Sequence, residues 1–365
     1  MYDFKESLEN GLSCRIDWLS FTITDSTDVE STLDDFGFLL SDFYECPKGA
    51  SGYRKMLMLN GSTLRVLYDG NENMGVHFDV SGSAMSDLFD YFKRSHAEVT
   101  PWGTDAIDWD LQVMSDLLSR ILKLGHVTRL DLAIDNTHDI YYRLDELEKI
   151  LNAGRFVSKF RSWKQVVEKT TVGVPVGYTL YLGSRTSDIM LRVYDKQLER
   201  NKAEESIDYE WVRWELELKN DRAQEAVRHM ISDMSVGDVC IGILQNYFRI
   251  INLDDCNKSR CSIDIKWQRF IGDIKGLRLY VAHDEKTLEQ KREWIVRQVA
   301  PTLTALIMAN YGDISFLTNE IEVNAGRMKR SLRELVTQAN PDWQRELRQL
   351  CARGDGYPLI DSTGQ

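Results

Sequence analysis

The chain has 365 residues, 43% hydrophobic and 28% charged, and a formal net charge of −12. It is long enough for one large or two medium soluble domains, and its acidic balance argues against a protein that coats duplex DNA with a uniformly basic surface. No apolar run approaches the roughly 18 residues of a membrane span, and the acidic N-terminus is unlike a secretory leader, so no membrane contact and a cytoplasmic location are expected.

Taken in order, Arg15 to Ile23 reads as a strand and Val29 to Phe43 as a helix. Strands over Gly52 to Leu59 and Leu64 to Gly70 flank Asn60-Gly61, a strong hairpin signal. Val76 to Val80 alternates as a strand, and Ser83 to His96 reads as an amphipathic helix with Leu88, Phe89 and Phe92 inward. Trp109 to Leu124 follows as a packing helix, with Leu111, Met114, Leu118, Ile121 and Leu122 at helical spacing.

From Val127 the same order recurs. Val127 to Asp135 is a strand and Leu144 to Leu151 a helix; Gly177-Tyr178 echoes Gly52-Tyr53, and Leu191 to Asp195 echoes Leu64 to Asp69. The strand Val212 to Leu218 and the helix Arg222 to Met230 close the unit. The predicted fold is α+β: duplicated β-α-β-β-β-α units forming one curved antiparallel sheet with helices on its convex face, followed by a mainly helical C-terminal region. The expected parts are residues 1–126, 127–255 and 256–365. A helix is expected over 239–251; in the last part, Lys and Arg outnumber Asp and Glu from Lys258 to Arg353, and helices are expected over 288–299, 303–309, 314–322, 325–338 and 343–351. Residues 303–322 with Arg327-Met328-Lys329-Arg330 read either as a helix-turn-helix or as a plain helical bundle. Six cysteines form no C-x-x-C pair, so neither a disulfide framework nor a zinc site is indicated.

Chemistry concentrates in the second unit. From Ile189 to Lys196 side chains alternate, placing Met190, Arg192, Tyr194 and Lys196 opposite Ile189, Leu191 and Val193. A phenol between two cations is expected to have a lowered pKa and suits attack on a phosphodiester. Arg129, Asp131 and Asp135 share one face of their strand, and Arg213, Glu215, Glu217 and Lys219 one face of theirs. The charged faces should meet, and opposed carboxylates call for a divalent cation with oxygen ligands. Asp131 and Asp135 lie about 13 Å apart along a strand, too far to share one ion, and the mid-strand Asp131 is favoured. Glu215 is central; Glu217, about 7 Å further along, is placed to pair with a lysine. Ordinary Arg-Glu cross-strand pairs on a solvated face are the alternative. No H-x-H pair points to a histidine-ligated metal.

The segments R-L-D-L-A-I-D (129–135), Y-L-G-S-R-T-S (181–187), L-R-V-Y-D-K-Q-L-E (191–199) and R-W-E-L-E-L-K (213–219) resemble the replication initiation factor family, Rep_trans. Its members initiate rolling-circle replication of plasmids and some phages, or serve as relaxases of integrative conjugative elements. The resemblance implies a tyrosine that nicks one DNA strand, stays on the 5′ phosphate and leaves a 3′ hydroxyl for a host polymerase, with a host helicase and a second copy of the chain as partners. Tyr194 matches the nucleophile, with Arg192 and Lys196 beside it. Asp131, Glu199 and Glu215 match acidic positions assigned to Mg²⁺ or Mn²⁺. Arg129, Arg185, Arg213, Tyr178 and Tyr181 are expected to touch DNA. The first unit has Asp17, Tyr68, His77 and Asp79 instead, and Leu67 is an extra residue that should turn Tyr68 to the other face. That half is expected to bind DNA without cutting. The competing reading is a non-catalytic protein that holds single-stranded nucleic acid through Tyr53, Tyr178, Tyr181 and nearby cations.

Overall fold

Strands with one apolar and one polar face bury the apolar side together, and here they do so in a single sheet. The computed structural model describes residues 6–8, 11–97, 106–137, 139–203, 207–232, 234–279, 288–317, 330–340, 342, 343 and 345. They divide into two compact units, Met1–Val281 and Ala282–Gln365.

In the first unit β1 (Glu6–Ser7) pairs with β2 (Ser13–Ile23), and α1 (Val29–Asp34) leads to β3 (Phe43–Glu45), β4 (Lys55–Leu59), β5 (Arg65–Tyr68), β6 (Val76–Ser81) and α2 (Ala84–Ala97). After α3 (Ala106–Leu124) come β7 (Gly125–Asn136), α4 (Leu144–Asn152), β8 (Phe156–Ser158), β9 (Trp163–Lys169), β10 (Pro175–Leu182), β11 (Ile189–Asp195) and α5 (Lys196–Lys202). Then follow β12 (Val212–Lys219), α6 (Asn220–Ile231), α7 (Val236–Tyr247), β13 (Phe248–Ile250) and α8 (Ile265–Ile271). The sheet has 11 strands in the order β3-β4-β5-β6-β2-β7-β12-β11-β10-β9, with β1 off that path. Each half therefore opens with the strand that ends at the centre, and β2 meets β7 antiparallel. By position β2 corresponds to β7, β4 to β10, β5 to β11 and β6 to β12, which is the expected duplication. Each half also has an edge strand absent from the expected unit, β3 and β9.

Helices α2, α3, α6 and α7 pack on the apolar face. Leu88, Phe89 and Phe92 of α2 are buried as expected; on α3 Val113, Met114, Leu117, Leu118 and Ile121 are buried, while Leu111 is exposed. Helix α1 stops at Asp34 rather than running to 43. Gly37 takes φ +79, a left-handed conformation that ends a helix at little cost, and Leu40–Asp42 forms only a 3-10 turn.

Behind β12, Trp214 lies 5.0 Å from Phe270 and 5.7 Å from Trp267, ring to ring. Truncating so large a buried aromatic costs about 3–5 kcal/mol. Because side chains alternate, that anchor fixes Arg213 and Glu215 on the opposite, charged face. Trp267 and Phe270 belong to α8, so the first unit runs to Val281, past residue 255. The second unit contains Leu288–Trp294, a π-helical turn Ile295–Val299, Ala300–Ala309 with Pro301 in its first turn, and Arg330–Ala339. The basic run 327–329 lies outside the described residues. Among the described residues no helix is long and apolar enough to cross a membrane.

Candidate active site

The register brings the three charged strand faces together. Across β11 and β12 Arg192 pairs with Glu215 and Tyr194 with Arg213; across β12 and β7 Arg213 pairs with Asp135 and Glu217 with Asp131. Tyr194 Oη donates to Glu215 Oε2 at 2.9 Å, and Arg192 is ion-paired to the other oxygen of Glu215 and, at 3.2 Å, to Asp131. Arg129 grips both Asp131 oxygens at 2.9 and 2.6 Å and reaches Glu217 at 3.2 Å; Lys219 holds Glu217 at 2.7 Å. Helix α5 starts directly after β11, with Asp195 capping Leu198 N–H. This sets Lys196 Nζ 5.4 Å from the centre of the Tyr194 ring, paired with Glu199 at 2.7 Å.

One side of this cluster opens on a cavity of about 660 Å³ whose wall includes Arg192, Tyr194, Lys196, Glu199 and Glu215. The electrostatics differ from the expectation of a lowered phenol pKa. Burial, and next the Glu215 charge, push the Tyr194 phenol well above its ordinary value, outweighing Arg213. Burial, with the Glu215 charge adding to it, likewise pushes the Asp131 carboxyl up to about 7 against the pull of Arg129 and Arg192. Burial alone would lower the Arg192 pKa, but Glu215 and Asp131 raise it, so the guanidinium stays charged. Its Nε is buried and has no acceptor among the described residues.

The other predicted residues separate. Arg213 is 2% exposed and belongs to an internal network: it clasps Asp135 at 2.7 and 2.9 Å and Asp17 at 2.5 Å. Tyr181 stands beside Arg192 across β10 and β11, under Lys164 at 5.2 Å. Tyr178, one residue out of phase, points to the helix side, where its hydroxyl donates to Glu148 of α4 at 2.6 Å; alternation along β10 separates the two tyrosines. Arg185 is exposed in the β10–β11 turn. Sequence reasoning assigned no site role to Arg15, Trp18 and Trp211. Trp211 Nε1 and Arg15 Nε both donate to Asp135, at 2.7 and 3.1 Å. By sequence Asp17 belongs to the first half, yet it reaches across to Arg213. The β2 register shifts between Ile16 and Trp18, a bulge that puts Arg15 and Trp18 on the same face and frees Asp17 to do so.

In the first half Leu67 pairs with His77, while Tyr68 packs on the core side. The extra residue has turned Tyr68 away from the charged face. Tyr68→Phe is therefore expected to nick DNA at a rate within about twofold of the parent; a loss of strand transfer in a plasmid-relaxation assay would reopen its role.

The implied metal is tested by the donor set. Among the described residues no three His, Cys, Asp or Glu side chains gather as a metal-holding group. Asp131 is fully buried, lies off the cavity wall and is paired with two arginines, so it does not fit. Glu199 and Glu215 share the cavity with Tyr194. Mg²⁺ commonly takes one or two protein carboxylates and completes its shell with substrate phosphate and water, and these two fit that pattern.

Residues 125–325 match the model of the replication initiation factor family. The chain belongs to this family. A Bacillus subtilis (strain 168) protein named "Putative DNA relaxase NicK" is 28% identical over 314 residues, covering 84% of each chain. The solved structure of a rolling circle replication initiator protein from Geobacillus stearothermophilus is 26% identical, with a TM-score of 0.60 over 74% of this chain and 99% of that one. In this family member the four sequence motifs fall inside the matched region, and three of them supply the charged strand faces.

Proposed function

We propose that this protein cuts and rejoins one DNA strand at a defined site, starting rolling-circle replication or conjugative transfer, with Tyr194 as nucleophile. Family membership supports the strand-nicking activity. The observation that carries the tyrosine is its placement: it lines an open cavity with its Oη hydrogen-bonded to Glu215, beside Arg192 and beneath Lys196.

In this reading Glu215 orients the phenol, which gives its proton to solvent as its oxygen attacks phosphorus; the bond to the 3′ oxygen breaks and that oxygen takes a proton from solvent. The 5′ phosphate remains on Tyr194 and a 3′ hydroxyl departs for a host polymerase. Lys196 and the unpartnered Nε–H of Arg192 offset charge on the phosphoryl oxygens. Rejoining is the reverse attack of a 3′ hydroxyl on the phosphotyrosine. A divalent ion held by Glu199 and Glu215, Mg²⁺ or Mn²⁺, would draw further charge from a non-bridging oxygen. The half around β7 to β12 cuts, the half around β2 to β6 binds the strand, and a homodimer and a host helicase complete the assembly.

Supercoiled DNA carrying the element's own origin, incubated with protein and Mg²⁺ or Mn²⁺, should yield relaxed circles and a covalent protein–DNA band. Retained DNA with no such band would make this a binding protein. Glu199→Gln and Glu215→Gln should each raise several-fold the metal concentration giving half-maximal nicking, whereas Asp131→Asn should leave it in place. Unchanged metal dependence in both glutamate variants would remove them as ligands.

A further inference from the structure

Trp18 lies on β2 of the first half but faces the cavity of the second. The bulge at Asp17 turns the indole onto the charged face, and its strand neighbours Leu19 and Phe21 are fully buried on the other. Three groups fix the ring. Its Nε1–H lies 2.9 Å from Asp79 Oδ1 and 2.8 Å from Ser20 Oγ, and the Arg129 guanidinium stacks over the ring at 3.9 Å. Arg129 is in turn clamped by Asp131. The indole is partly exposed and forms part of the cavity wall, whereas Arg129 does not. The side of the indole left open by the guanidinium is therefore the side that meets the cavity.

A rigid aromatic surface bordering a cavity that holds nicking residues has a specific use. We propose that Trp18 is a stacking platform for a nucleobase of the nicked strand, a few nucleotides from the phosphate attacked by Tyr194. The proposal rests on the strand-nicking reading and adds to it a base-binding subsite supplied by the first half. Strands β7 and β12 separate β2 from β11, three strand spacings or about 14 Å. Stacking would withdraw indole surface from water, and little side-chain freedom is lost because the ring is already held. The indole N–H is occupied by Asp79 and Ser20, so the platform offers a π-face without an edge donor. Such a site tolerates any base and organises the strand without reading its sequence.

The test uses fluorescence anisotropy with two labelled probes of about twenty nucleotides, oligothymidylate and a fully abasic strand of equal length and charge. Wild-type protein should bind oligothymidylate on the order of tenfold more tightly, the scale of one stacked base. Trp18→Leu should lose most of that preference while binding the abasic strand as before, and Trp18→Phe should regain part of it. Melting curves near the parent's establish that the variants are folded. Equal weakening of Trp18→Leu on both probes, no weakening on either, or no preference in the wild type would each overturn the platform. Nicking is not measured in this assay, so a failure of the nucleophile assignment would show in the covalent-band experiment and not here.

Discussion

In Tyr194→Phe the covalent protein–DNA band is expected to vanish and nicking to fall by at least about a thousandfold, since removing a nucleophile typically costs that much or more. Single-strand binding should stay within a few-fold. The substitution keeps the ring that packs beneath Lys196 and removes one oxygen; Glu215 retains its ion pair with Arg192. In the parent enzyme single-turnover adduct formation should still be rising at about pH 9, because burial and the Glu215 charge hold the phenol protonated well above its ordinary range. A rate that levels off near neutrality would mean that the phenol is ionised by a group not considered. A fully active Tyr194→Phe would move the nucleophile elsewhere. Tyr181, on the same face, would then be the next residue to test; Tyr178 is turned toward α4 and bonded to Glu148.

Much of this site was legible because a sheet buried on one side writes itself as alternation. Arg192, Tyr194, Arg213 and Glu215 occupy alternate positions of strands whose intervening residues, Leu191, Val193 and Trp214 among them, are apolar, and the pairing of β11 with β12 aligned them. Alternation fails at a bulge, which is why Arg15, Asp17 and Trp18 were not recognised as belonging with the second half. It also fails at an edge: most of β9 is exposed on both faces, so Trp163 to Lys169 has no apolar period. The phenol was misjudged for a different reason. Sequence placed two cations near Tyr194 but could not weigh its burial or place a carboxylate oxygen 2.9 Å from its hydroxyl. The opposed carboxylates of β7 and β12 needed neutralising, as expected, but for Asp131 the compensation comes from Arg129 and Arg192.

Breaking the Arg213–Asp135 pair is expected to cost about 3–5 kcal/mol of folding stability, the range for removing one partner of a buried ion pair. Asp135 is 1% exposed; Oδ1 accepts from Arg213 Nε and Trp211 Nε1, both at 2.7 Å, and Oδ2 from Arg213 Nη2 at 2.9 Å and Arg15 Nε at 3.1 Å. Arg213→Met keeps most of the packed stem but leaves a buried carboxylate short of two donors. Asp135→Asn keeps the shape, removes the charge, and turns an amide N–H₂ toward groups that donate. The double variant Asp135→Leu/Arg213→Met should lose less than the sum of the singles, because neither charge is then stranded. The pH dependence has a definite sign. Burial opposes ionisation of Asp135, but Arg213, with Arg15 and Trp211 adding to it, more than compensates and holds the carboxyl below its ordinary value. A depressed folded pKa contributes stability above the unfolded value of about 3.9, and that contribution is lost as pH falls through the folded pKa. Urea unfolding should therefore show the full deficit of Arg213→Met at pH 7 and a smaller one at about pH 3. A deficit under about 1 kcal/mol at pH 7 would place the pair with exposed salt bridges. The network joins Arg15 and Asp17 of the first half to β7 and β12 of the second, and Arg213 is the cross-strand neighbour of Tyr194. A folded Arg213→Met protein should accordingly also form the covalent adduct more slowly, as the tyrosine loses the strand that sets its position.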